Sequence, residues 1–214
     1  MAMPKIGPYQ LLKRIAVGGM GEVFLAQQLG LHFNRKVALK RILPQFAEDQ
    51  RLVARFIDEA RMMTQLHHGN ILSVYELNQD QNGLYIVMPY LPSIDLRSLM
   101  KKLKARQENM PILLVLWVLA QICDGLDYAH HKQDENGQAL NMIHRDISPS
   151  NLLLGSEGEV KIIDFGIAKA YGNEYQSISG ILQGKLIYMS PEQANGLEID
   201  HRSDIYSLGL VAYE

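Results

Sequence analysis

Three oxygen-bearing side chains, Asp146, Asn151 and Asp164, are spaced as a chemical unit in this 214-residue chain. Asp146 and Asn151 flank Pro149 in the run His144-Arg145-Asp146-Ile147-Ser148-Pro149-Ser150-Asn151, and Asp164 opens Asp164-Phe165-Gly166 thirteen residues after Asn151. Hard oxygen ligands near strand ends suit magnesium, and a carboxylate beside them suits a base that accepts a hydroxyl proton. The chemistry of such a set is phosphoryl transfer. Each residue alone reads equally well as a turn former; four ordered motifs at matched spacing do not.

The other motifs lie nearer the N-terminus. Lys40 closes Val37-Ala38-Leu39-Lys40, an isolated cation after apolar residues, and Glu59 lies on or beside the inward face of a following helix. Singly each reads as a solvated charge; together they fit a lysine held by a glutamate to grip nucleotide phosphates. Ala16-Val17-Gly18-Gly19-Met20-Gly21-Glu22-Val23 joins two strand-like runs. Small residues there let backbone N–H groups approach phosphate oxygens, although alone the run reads as a hairpin turn.

These groups need elements to hold them. Tyr9 to Ile15, Glu22 to Ala26, Lys36 to Ile42, Ile71 to Asn78 and Leu84 to Tyr90 read as strands, with a helix over Arg51 to Leu66 whose Leu52, Phe56, Ala60 and Met63 share one face. Five strands and one helix make a small lobe. After Pro92 the pattern turns helical, at Leu96 to Lys104 and Ile112 to His131; the latter is apolar round most of its cylinder and is expected to be buried, with Cys123 as a small apolar core residue. Lys132 to Asn141, with Asn136-Gly137, reads as a surface loop, and Val160 to Ile163 as a short buried strand.

Composition narrows the class. Hydrophobic content of 47% against 21% charged residues indicates a globular chain rather than a disordered one. A net charge of -2 without a long basic run argues against nucleic acid as a partner. The single cysteine excludes an internal disulfide and suits a reducing compartment. The stretch Ile112 to Cys123 falls short of the roughly 20 residues of a membrane span, and Met-Ala-Met-Pro-Lys is followed by no apolar signal. A cytoplasmic location is expected.

With these motifs in hand, the chain from Tyr9 to Glu214 resembles the eukaryotic-like protein kinase family, and Gly18-Gly19-Met20-Gly21 is most similar to its bacterial Ser/Thr branch. The resemblance implies an α+β, two-lobed fold: a lead over residues 1–8, a β-rich N-lobe over 9–91, and a mostly helical C-lobe over 92–214 that is incomplete at its C-terminus. It implies ATP and Mg2+, with Mn2+ as a substitute, and protein substrates bearing Ser or Thr acceptors. Lys40 would contact the α- and β-phosphates and pair with Glu59; Asp146 would be the catalytic base; Asn151 and Asp164 would bind the metal. Met88 would be the gatekeeper and Pro89 to Leu91 the adenine hinge, with the Pro89 carbonyl accepting and the Leu91 N–H donating. Val23, Ala38 and Leu153 would sandwich the purine, and Met63, Val74, His144 and Phe165 would stack as the family's regulatory column. Ser190-Pro191-Glu192 matches the close of the activation segment, and Asp204 the aspartate that braces the catalytic loop.

The chain departs from that pattern in three places. Ala16 replaces the first glycine of the loop, Ser148 replaces the lysine that usually contacts the transferred phosphate, and Lys185 replaces a threonine of the activation segment. A cation lost at 148 and gained at 185 reads as an exchange, because a preorganised charge beside the reacting oxygens is a large catalytic term. Arg145 before Asp146 implies phosphate-dependent ordering of the segment between Gly166 and Ser190, with Ser177 and Ser179 as acceptors and self-association for autophosphorylation. The expected function is protein Ser/Thr kinase in bacterial signalling; the alternative is a nucleotide-binding pseudokinase or scaffold. A fragment of a longer protein is expected, anchored to a membrane if the missing C-terminal region holds a span, with apolar surface exposed from Leu208 to Tyr213.

Overall fold

The computed structural model describes residues 4–18, 21–30, 34–81, 83–165 and 186–214. The chain divides into two units, one of Met1–Gln65 with Ser73–Leu91 and one of Leu66–Leu72 with Pro92–Glu214.

In the first unit β1 (Lys5–Ile6), β2 (Tyr9–Val17), β3 (Gly21–Gln28), β4 (Arg35–Ile42), β5 (Glu76–Asp80) and β6 (Gly83–Pro89) form one antiparallel sheet, ordered β1-β2-β3-β4-β6-β5. Period-two alternation sets its faces. Phe24, Ala26, Val37, Leu39 and Val87 are buried together on one side. The register Val23↔Lys40 and Ala38↔Met88 puts those four side chains on the other. Helix α1 (Gln50–Met63) starts where Asp49 accepts from the Arg51 and Leu52 N–H groups, and buries Leu52, Phe56, Ala60 and Met63 with Glu59 among them.

Six strands replace the five expected, because Lys5 and Ile6 pair with Gln10 and Tyr9. The strand expected over Ile71 to Asn78 is also displaced. Only Glu76–Asp80 pairs with β6, while Ile71 makes an isolated parallel bridge to Ile162 and the Leu72 N–H donates to the Ile162 carbonyl at 2.9 Å. A short apolar run looks the same whether it joins one sheet or another.

The second unit contains β7 (Ser93–Asp95), β8 (Leu152–Gly155) and β9 (Val160–Ile162) as a small antiparallel sheet, with α2 (Leu96–Arg106), α3 (Ile112–His130), α4 (Pro191–Ala194) and α5 (Arg202–Tyr213). Asp95 caps α2 by accepting from the Ser98 N–H at 2.8 Å, and Gln107 ends it at a left-handed φ of 55°. A capping box of Ser190 and Gln193 begins α4.

Helix α3 corrects the expectation of burial on all sides. Its buried stripe is Val118, Ile122, Gly125, Leu126 and Ala129. A Cβ at Gly125 would stand 3.0 Å from Ile162 Cδ1, so glycine is what lets α3 approach β9. Leu113 is 78% exposed, and Leu116, Trp117 and Cys123 are exposed as well, because the described residues cover only one side of the helix. At 19 residues α3 is, by length and composition alone, long and apolar enough to cross a membrane, longer than the stretch read from sequence. The packing of its buried stripe makes it a core helix of this unit on that side. In α5 the expected apolar exposure is real at Tyr213 but not at Leu208 or Val211, which are buried; Ile205 and Tyr206 are exposed instead.

Candidate active site

In the first unit the candidate residues lie on the β4 face opposite the core. Lys40 Nζ donates to Glu59 Oε1 at 2.5 Å, with both side chains largely buried. A buried ion pair is costly to assemble, since desolvation offsets much of the attraction, so its presence is better explained by use than by stability. Val23 and Ala38 flank Lys40 on the same face, Met88 lies across from Ala38, and Pro89 lies across from Val37 at the end of β6. At the hairpin between β2 and β3, which runs past Ala16 and Val17, the Gly18 N–H donates to the Gly21 carbonyl at 2.7 Å. A Cβ on Gly21 would lie 2.8 Å from the Arg41 carbonyl oxygen, so this glycine is required by close strand approach. Gly19 and Met20 lie outside the described residues.

In the second unit a single carboxylate organises the loop. Asp204 is buried at the start of α5 and accepts from the His144 N–H at 2.8 Å, the Arg145 N–H at 2.8 Å and His130 Nε2 at 2.8 Å. Arg145 is thereby held at a φ of 65°. His144 is buried, and burial pushes its pKa below the ordinary value, against the raising influence of Asp204 and other carboxylates. Its Nδ1 accepts from the Asp146 N–H at 3.2 Å and its Nε2 faces the Ile163 carbonyl at 3.0 Å. Those partners fix a neutral ring with the proton on Nε2.

The Asn151 amide is the clamp. Its Nδ2 donates to the Asp146 carbonyl at 2.8 Å and to Asp146 Oδ2 at 3.0 Å, which orients the carboxylate. The Asn151 carbonyl accepts from the Ile163 N–H at 3.0 Å, tying the loop to the residue before Asp164. Asp164 takes a left-handed φ of 56°, a conformation that costs an L-residue roughly 1–2 kcal/mol and is tolerated best by Asn and Asp. With Nδ2 spent on Asp146, Asn151 has Oδ1 to offer, and Asp164 has a carboxylate: hard oxygen donors that fit a divalent cation of the magnesium type. Leu153 lies on β8, and the His144 and Phe165 rings stand 4.6 Å apart. Met63 and Val74, also assigned to the regulatory column, are buried.

Two polar atoms of this loop, Ser148 Oγ and Arg145 Nε, are buried and have no partner among the described residues. Lys185, Ser177 and Ser179 lie outside those residues. Sequence reasoning missed His130, whose role depends on α3 meeting α5, and Gln193, whose Nε2 donates to the Arg145 carbonyl at 3.0 Å. No spacing rule points to either.

Comparison with known proteins agrees with this geometry. The family model for the protein kinase domain matches residues 9–214. The tyrosine-protein kinase MasK of Myxococcus xanthus is 44% identical over 209 residues, covering 97% of this chain and 32% of that protein. The serine/threonine-protein kinase PrkC of Bacillus subtilis is 35% identical over 210 residues, covering 97% of this chain and 30% of that protein. The solved kinase domain of PknI from Mycobacterium tuberculosis superposes with a TM-score of 0.71 at 29% identity, covering 99% of this chain and 75% of that one. The chain belongs to the protein kinase family, in its bacterial eukaryotic-like branch, and has the protein kinase fold. It spans about a third of the length of the curated relatives it matches.

Proposed function

We propose that this chain is the catalytic domain of an ATP- and magnesium-dependent kinase that transfers the γ-phosphate of ATP to Ser or Thr hydroxyls of proteins, its own activation segment included. The observation that carries this reading is the double hold of Asn151 on Asp146, which aims a carboxylate as a base would need to be aimed. Asp146 takes the proton of the acceptor hydroxyl as its oxygen bonds to the γ-phosphorus and the bond to the β-phosphate breaks, releasing ADP. Lys40, kept in place by Glu59, holds the nucleotide phosphates. Val23, Ala38 and Leu153 contact the purine, and Met88, Pro89 and Leu91 frame its edge. Asn151 and Asp164 hold the metal, which neutralises charge on the phosphates when bound.

The partnerless Ser148 Oγ supports a division of labour in which position 148 supplies no charge and Lys185 does. The partnerless Arg145 Nε supports phosphate capture from Ser177 or Ser179. Incubation with labelled ATP and magnesium tests the assignment: Asp146→Asn abolishes transfer but leaves nucleotide binding, and Lys185→Ala slows transfer in a way that Ser148→Lys restores. Binding without transfer by the unaltered chain would leave the pseudokinase reading. A tyrosine acceptor is a second reading, favoured by the printed name of the 44% identical relative. Phosphoamino-acid analysis of the product separates the two.

A further inference from the structure

Helix α2 carries five cations, Arg97, Lys101, Lys102, Lys104 and Arg106, and no acid, in a chain of net charge -2. Lys104 and Arg106 sit in the last turn, where the helix dipole favours cations. Arg97 sits in the first turn, where the same dipole opposes it, so another cause must place it there.

Its contacts supply one. Arg97 Nε donates to Ser150 Oγ at 3.1 Å, and Nη2 donates to Tyr188 Oη at 3.3 Å, with the guanidinium carbon 5.8 Å from the Tyr188 ring centre. Ser150 lies between Asp146 and Asn151 in chain order and is only half-buried, whereas Asn151 is buried; Arg97 therefore meets the turn on its solvent side. The Tyr188 hydroxyl donates in turn to Glu214, and burial and that carboxylate push its pKa up to about 12, so it stays a neutral group. Lys101, one turn along the same face of α2, is exposed and has no partner among the described residues. A positive ridge thus begins at the loop bearing Asp146 and runs outward along α2.

We propose that Arg97 and Lys101 form an acceptor-side subsite that selects protein segments carrying acidic side chains beside the hydroxyl to be phosphorylated. It rests on the kinase reading above and names the acceptor class for it. Arginine suits the role because its charge is permanent and its planar fork matches a carboxylate. Charges at the rim of a site set which partner is accepted more than how tightly it binds.

Two peptides that differ only in Asp or Lys flanking one serine, offered with ATP and magnesium, test the subsite, with binding of the labelled acidic peptide read by fluorescence anisotropy. The acidic peptide is expected to be used better by about fivefold per exposed charge pair. Arg97→Glu and Lys101→Glu each shrink or reverse that preference while the KM for ATP stays unchanged, and raised salt shrinks it too. Equal use of both peptides, or Arg97→Glu slowing both alike, overturns the subsite and leaves the kinase reading intact. Absence of transfer, with acidic-peptide binding that Lys101→Glu abolishes, overturns the kinase reading while the ridge stands as an acid-binding surface. Absence of both overturns both.

Discussion

The first unit pairs its buried cation with a carboxylate, whereas in the second two buried polar atoms have no partner among the described residues. Lys40 is already bonded to Glu59 at 2.5 Å. Around Asp146, by contrast, Asp204 and His144 accept from the backbone N–H groups of His144, Arg145 and Asp146, while Ser148 Oγ and Arg145 Nε have no partner among the described residues. The difference teaches that the two groups of residues are held by different forces. In the first unit the opposite charge of Glu59 offsets the desolvation of the largely buried Lys40. In the second unit backbone N–H groups and the Asn151 amide fix the loop, and the two partnerless atoms carry a desolvation cost of about 1–3 kcal/mol each.

Several substitutions break or sharpen that contrast. The largest effect belongs to the second unit: Asp146→Asn keeps the Asn151 clamp sterically but removes the carboxylate proposed as base, and transfer is expected to fall by at least about 10²–10⁴-fold, to the point of abolition, with nucleotide affinity retained. Next comes the first unit, where Glu59→Gln removes the carboxylate charge from a largely buried ion pair and costs about 3–5 kcal/mol in denaturant unfolding. The double replacement Lys40→Met with Glu59→Leu costs less than that single change, since both buried charges are removed together; equal costs would show that the attraction between the two does not govern the loss.

A smaller effect tracks pH. His144 is neutral when folded and its pKa is depressed by burial, so the unfolded chain binds a proton that the folded chain refuses. Stability is complete above the ordinary histidine value of about 6.5 and is lost as pH falls from there toward the depressed value, at up to about 1.4 kcal/mol per pH unit. Chemical unfolding at pH 7.5, 6.5 and 5.5, compared with His144→Asn, isolates this slope; the slope surviving the substitution would assign it elsewhere. The smallest effect is Ser148→Ala, which removes a partnerless hydroxyl and shifts stability by less than about 1 kcal/mol in either direction. A loss of 2 kcal/mol or more would mean that Ser148 has a partner outside the described residues.

Much of the site was readable along the chain because its parts are local. Glu59 lies among Leu52, Phe56, Ala60 and Met63, so helical period alone brings it beside the inward face, and Lys40 shares a β4 face with Ala38 by the period of two. The loop from His144 to Asn151 was legible as a motif. What failed depends on coverage. Ile71 and Leu72 look like a strand in either unit, Cys123 and Leu113 look like core on any apolar helix, and neither periodicity nor composition says which face another element will cover. Arg97 was invisible for a related reason: one cation among the five of α2 has no spacing signature of its own, and only its approach to Ser150 and Tyr188 marks it.

The sequence by itself determined the reaction class, the order of the motifs and the identity of the acidic and basic groups, because those are properties of residue type and local period. The resemblance already implied that Asp204 braces the loop; tertiary structure alone decided that this buried carboxylate would gather His130 as well as the His144 and Arg145 N–H groups, and that Asn151 would turn its amide onto Asp146. The Asp204 contacts join residues up to 74 positions apart, and the packing of α3 and α5 is what brings His130 within hydrogen-bonding reach.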